Sequence, residues 1–422
     1  MDNSQDPLRA ARNHSGPFLA IEAIRLRTNY TAERTFFWRY IMEKSLYFDT
    51  NGSTPVHPEV IEAYLQSLRD TFGNAGAIHP EGKRAKEAIN QARAAVARTI
   101  GAQPEEIYFT SGGTESNNWA MFSSAHCQHG KHIIVSAIEH KSVLRSAQHL
   151  MDEGYECTFL PVNQSGRVSV ETLKAAIRQD TFLVCVMLAN NETGVVQPVE
   201  EIGHFCRERG IQFHCDAVTG MGKIPVNVEE IQCDFLSLSG HKIYAPKGCG
   251  ILYVRSGVNM EPLIFGCGQQ SGLRSGTENT PAVVALGRAC ELLESGDLGA
   301  SGSMSDLKER LWNGIEARFP MAKRNGSGFT LPNTLNVCYP DALGADMMAA
   351  LGEQGISVSA GAAASNGTPS HVLTAMGFSD ERARCSLRFS LGHFTTETSI
   401  DTLLAALETA YANTVIEHQK AC

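Results

Sequence analysis

The chain has 422 residues, is 43% hydrophobic and 19% charged, and carries a formal net charge of -9. That length exceeds the usual ceiling for one core and predicts a large domain with a smaller companion. The acidic balance excludes a basic nucleic-acid surface, and no apolar run approaches the ~20 residues a bilayer span needs, so a soluble protein with no membrane partner is expected.

Residues 1–41 carry scattered arginines and acidic residues without an apolar signal core, and are expected to be a disordered or mis-started extension. Apolar residues at three-to-four spacing then predict helices over 60–71 and 83–100. Short apolar strands follow at 106–110, 132–135, 182–188, 211–215, 235–238 and 250–254, separated by helical stretches such as 142–153 and 199–209. That alternation predicts a mainly parallel sheet covered by helices on both faces, with ligands gathering where loops leave the carboxyl ends of the strands.

Near residue 300 the pattern changes to a long polar helix at 304–319, strands around 334–337 and 385–389, and a last helix from Ile400. The expected division is therefore an extension at 1–41, a large domain at 42–300, a small α+β domain at 301–415 and a tail at 416–422. The first folded segment is expected to pack on the small domain. Twelve cysteines include no Cys-x-x-Cys pair, which fits a reducing compartment and gives no zinc site. Cytoplasm is the expected location.

Lys242 lies in "SLSGHK" just after an apolar strand, where desolvation lowers an amine's pKa and lets it form an imine with a carbonyl group. Asp216, in "HCDAV", puts a carboxylate at the end of another strand. A pyridoxal phosphate site needs both, the lysine for the imine and the acid for the ring nitrogen; read alone, Asp216 equally caps a turn. In "FTSGGTESNN" a strand opens through two glycines into a helix. The amides of Gly113 and Thr114 and the Thr114 hydroxyl make a phosphate cradle there, and capping by Thr or Ser explains the same residues.

The motifs "TSGGTESNN" at 110–118, "EHKSVL" at 139–144, "ANNETGVVQP" at 189–198 and "HCDAV" at 214–218 are followed by "SGHKIYAPKGCG" at 239–250, "RSGTEN" at 274–279 and "LRFSLG" at 387–392. With these motifs, the chain from about residue 46 to about 407 resembles the cysteine desulfurases of the NifS/IscS type, in the class V aminotransferase group of fold-type I pyridoxal phosphate enzymes. The resemblance implies an α/β fold-type I architecture and a homodimer. It implies that Lys242 holds pyridoxal phosphate, that Asp216 pairs with its ring nitrogen, and that His140 stacks on the ring face and assists proton transfer. Thr114, Ser239 and His241 would hold the phosphate, and Thr277 would reach the phosphate of the neighbouring subunit. Arg388, beside Asn191, would clamp the substrate carboxylate. Read singly, His140, Asn191 and Arg388 have blander roles as a loop histidine, a turn former and a surface ion pair.

Two departures stand out. Thr219 occupies the place where the family sets a glutamine against the cofactor's ring oxygen, and a hydroxyl there still donates a hydrogen bond. The loop "SAGAAASNGTPSH" at 359–371 aligns Ala364 with the family's nucleophilic cysteine, and no cysteine occurs between Cys338 and Cys385. Without a thiolate, the reaction expected on L-cysteine or a cysteine-derived substrate is lyase-type elimination, releasing sulfide or a thiol with pyruvate and ammonia. Two alternatives stay open: a desulfurase that makes alanine and passes sulfur to an acceptor protein, its cysteine exchanged for alanine by engineering, or a non-catalytic cofactor-binding scaffold in sulfur transfer. An aminotransferase would need a second half-reaction that nothing in the sequence demands.

Overall fold

The computed structural model describes residues 46–298, 302–361 and 368–421. The expected extension at 1–41 and Ala364 lie outside the described residues.

Strands β1 (Ile107–Thr110), β2 (His132–Ser136), β3 (Glu156–Leu160), β4 (Thr181–Cys185), β5 (Gln212–Asp216), β6 (Phe235–Ser239) and β7 (Gly250–Val254) form one sheet in the order β1-β7-β6-β5-β4-β2-β3. Strands β2 to β6 pair in parallel, while β7 runs antiparallel to both β1 and β6. Every residue of β2, β4, β5, β6 and β7 is buried. Burial on both faces is why these strands read as continuous apolar runs rather than as an alternation. The edge strand β3, with exposed Glu156 and Phe159, carries no such run and is a strand the periodicity does not announce.

Helices α1 (Pro58–Asp70), α2 (Pro80–Ile100), α3 (Gly113–Cys127), α4 (Lys141–Asp152), α5 (Val170–Ala176), α6 (Val199–Arg209), α7 (Val228–Ile231) and α8 (Thr280–Glu294) accompany this sheet. Helix α2 starts at the cap His79, whose Nδ1 accepts the Gly82 N–H, has Pro80 in its first turn and stops at left-handed Gly101. It lies close along α8, where a Cβ on Gly287 would fall 2.7 Å from the Ala92 Cα.

A second sheet holds β8 (Lys323–Arg324), β9 (Thr334–Cys338) and β10 (Ser386–Ser390), antiparallel in the order β10-β9-β8. With it go α9 (Gly302–Arg318), α10 (Gly344–Glu353), α11 (His371–Ala375), α12 (Asp380–Arg384) and α13 (Glu397–Ala421). Leu311, Ile315, Val337, Leu387, Phe389 and Leu403 build a core here that is separate from the one under the large sheet. Phe48 is buried in this second core, with its amide donating to Ser357 O and its carbonyl accepting from Ser390 N, both at 2.8 Å. The chain therefore leaves the second core at Phe48 and enters the cavity region through the turn that follows.

Candidate active site

The carboxyl ends of β4, β5 and β6 and the amino ends of α3 and α4 surround a cavity of about 390 Å³. Gly113, Thr114, His140, Asn191, Asp216, Thr219, Ser239, His241, Lys242 and Arg388 all line it. A larger cavity of about 850 Å³, bounded by Lys223, Pro225 and Glu294, contains none of these residues.

Thr277 is exposed and does not line its own chain's cavity. Its loop is fixed to the first turn of α3 by the Arg274 guanidinium, whose Nε and Nη2 donate to Glu115 Oε1 and Oε2 at 2.8 and 3.2 Å.

At one end of the cavity β1 turns into α3. No side chain among the described residues caps α3, so Thr and Ser capping does not account for "TSGGTES", and the helix's first residues, Gly113 and Thr114, line the cavity at the positive end of its dipole. The glycines there are needed for close approach. A Cβ on Gly113 would lie 2.6 Å from Val218 Cγ2, and one on Gly250 would lie 2.5 Å from Gly112 Cα. Ser239 is buried at the end of β6, and His241 Nδ1 lies 3.2 Å from Ser53 Oγ. Burial, reinforced by the Lys242 charge, lowers His241 to about 4 and keeps its ring neutral.

The other end is built on Asp216, the last residue of β5. Its Oδ1 accepts the Val218 N–H at 3.0 Å and its Oδ2 accepts Asn117 Nδ2 at 2.7 Å. His140 caps α4, with Nδ1 accepting the Ser142 N–H at 3.2 Å and lying 2.8 Å from Ser142 Oγ. Burial pushes the His140 pKa down, against the Asp216 charge, which pulls it up. Beneath them Glu139 is fully buried and its Oε1 accepts the Met187 N–H at 2.7 Å. Desolvation, aided by the Asp216 charge, raises this carboxyl well above the usual carboxylate range.

Lys242 ends a short turn, Gly240–Lys242, directly after β6. Desolvation, helped by the Arg388 charge and opposed by Asp49 and Asp216, lowers its amine to about 8. Nζ donates to the carbonyls of Asn51 and of Gly52, the latter at 2.8 Å. Arg388 comes from β10 and is only 7% exposed in its side chain, which rules out a surface ion pair. Its Nη1 donates to Asn191 O at 2.9 Å and its Nη2 to Asp49 Oδ1 at 2.5 Å, while Nε is buried with no hydrogen-bond partner among the described residues.

Asp49, Asn117 and Ser142 also belong to this constellation, although the sequence reading gives them no role. Asn117 and Ser142 fall inside quoted motifs as small polar residues with no telling spacing. Nothing local in the sequence ties Asp49 to an arginine 339 positions later.

The family model described as aminotransferase class V matches residues 46–403. Over 366 residues the chain is 43% identical to a "Cysteine desulfurase IscS" of Methanosarcina thermophila, covering 86% of this chain and 90% of that one. The chain belongs to the class V aminotransferase family, in its IscS/NifS cysteine desulfurase group. Among solved structures, a "NifS-like protein" superposes with a TM-score of 0.81 at 36% identity, covering 87% of this chain and 99% of that chain. "SspA in complex with cysteine" superposes with a TM-score of 0.74 at 39% identity, covering 83% and 99%.

Membership makes this a fold-type I, pyridoxal phosphate-dependent enzyme. The cavity suits that group: an uncapped helix amino end for a phosphate, a buried carboxylate for a ring nitrogen, and an amine already lowered towards neutrality. Among the described residues no helix is long and apolar enough to cross a membrane.

Proposed function

We propose that this enzyme cleaves the Cβ–S bond of L-cysteine or a cysteine-derived substrate by elimination, with no persulfide formed on the enzyme at residue 364. The observation that carries this reading is a complete cavity holding Lys242, Asp216, His140 and Arg388 in a chain whose residue 364 is alanine, at the position aligned with the family's cysteine. A methyl group cannot attack sulfur.

When bound, pyridoxal phosphate supplies an electron sink for charge developing at the substrate Cα. The α3 amides at Gly113 and Thr114, with Ser239 and His241, hold its phosphate. Lys242 would anchor it, and its amine, lowered to about 8, is the base that would take the Cα proton. Asp216 would pair with the ring nitrogen and keep it protonated, and the Thr219 hydroxyl would be available to the ring oxygen. Arg388 and Asn191 receive the substrate carboxylate, the unsatisfied Nε of Arg388 being one donor for it. His140 would lie against the ring face and offer an N–H hydrogen bond to the sulfur that departs as hydrosulfide.

The reaction balances without an oxidant. The Cα–H and Cβ–S bonds of L-cysteine break, the electron pair left at Cα forms a Cα–Cβ double bond, and sulfide departs. Water then replaces nitrogen, giving pyruvate and ammonia.

The same reading takes the enzyme as a cytoplasmic homodimer of two-domain chains divided near residue 300, with Thr277 serving the partner subunit's phosphate site. Its exposure on a loop that Arg274 locks to α3 supports that role. Purified protein should show a visible absorbance band that Lys242→Ala abolishes, and should release sulfide from L-cysteine. Absence of both would leave only the scaffold.

A further inference from the structure

His140 faces the cavity through one ring nitrogen only, because the other is committed to α4. Its Nδ1 accepts the Ser142 N–H at 3.2 Å, and a proton on Nδ1 would point at that amide hydrogen. Ser142 Oγ, 2.8 Å from Nδ1, has a single hydrogen to give. Asn117 Nδ2 donates to Ser142 Oγ at 2.8 Å and so uses that oxygen as an acceptor, leaving the hydroxyl hydrogen for His140. The Asn117 amide has no freedom to reverse: the same Nδ2 donates to Asp216 Oδ2 at 2.7 Å, and a reversed amide would set its oxygen against a carboxylate. Asn117 is 1% exposed, Asp216 5% and Ser142 9%, so water does not compete for the two bonds Asn117 gives to Asp216 and Ser142.

We infer that Ser142, oriented by Asn117 and ultimately by Asp216, is a positioning residue that holds the His140 ring with its Nδ1 lone pair turned inward and its proton on Nε2. The chain Asp216–Asn117–Ser142–His140 runs from the acid at the ring-nitrogen end of the cavity to the histidine beside it. Its effect is directional: His140 presents an N–H hydrogen-bond donor to the cavity and has no lone pair there with which to take a proton. This deepens the proposed function, because it rests on His140 being the group over the reacting substrate. It assigns to His140 the hydrogen bond that stabilises negative charge on the departing sulfur and leaves proton removal at Cα to Lys242.

The test reads the imidazole directly. Protein labelled with ¹⁵N-histidine, both cofactor-free and loaded, should give a His140 signal pair with Nε2 protonated and Nδ1 unprotonated, assigned by its loss in His140→Asn. Ser142→Ala should shift that pair towards a mixture of tautomers and lower kcat about tenfold with KM little changed, whereas Ser142→Thr should retain the wild-type pair and most of the turnover. A proton on Nδ1 in the wild type, or an unchanged pair in correctly folded Ser142→Ala, would overturn the inference. The two readings fail separately. A wild-type pair as described together with full turnover in His140→Asn would remove His140 from the reaction and leave the tautomer assignment standing.

Discussion

Arg388 Nη2 donates to Asp49 Oδ1 at 2.5 Å, joining the first turn of the described chain to β10 at the substrate end of the cavity. The pair also sets the charge felt by Lys242, since Arg388 pushes the amine's pKa down and Asp49 holds it up. The neutral amine, which alone forms the bond to the cofactor, therefore grows in as pH rises through about 8 instead of the model-compound value of 10.5. The rate of pyridoxal phosphate uptake by cofactor-free protein should rise with a midpoint near pH 8. In Asp49→Asn the guanidinium loses its counter-charge and the midpoint should move lower. A midpoint that stays put or rises would show that Asp49 does not govern the amine.

Arg388→Ala removes the clamp and the buried, unpartnered Nε with it. Charged hydrogen bonds contribute roughly 1.5–3 kcal/mol each, so losing a bidentate pair should raise KM for L-cysteine about a hundredfold or more. The cofactor absorbance should survive, because Arg388 acts on Lys242 through its charge alone and its hydrogen bonds go to Asn191 and Asp49. Steady-state kinetics beside an absorbance spectrum checks both halves.

Gly250→Ala places a methyl group against the backbone of Gly112, where a Cβ would lie 2.5 Å from its Cα. Overpacking of this kind costs roughly 1–3 kcal/mol. Here the strain falls on the turn that opens α3, so cofactor retention on dialysis should drop more than the melting temperature of the cofactor-free protein does.

The central sheet was legible because strands buried on both faces print as apolar runs, and Asp216 and Ser239, directly after the runs at 211–215 and 235–238, line the cavity. Lys242, Asp216 and Arg388 follow that rule or a family motif. The edge strand β3, "ECTFL", was not legible, since half-exposed strands in a parallel sheet have no run to show. Nor was the Asp216–Asn117–Ser142–His140 chain, which depends on which way an amide and a hydroxyl point. Thr277 was legible only by family resemblance, and one chain alone leaves it at the surface.

The most direct test of the account is the product mixture from L-cysteine with the purified enzyme and a reductant. Elimination predicts pyruvate, ammonia and sulfide in equal amounts with little alanine, and Ala364→Cys should add alanine formation. Alanine as the dominant product of the unaltered chain would contradict the account, because it would require a sulfur-accepting thiol that residue 364 does not provide.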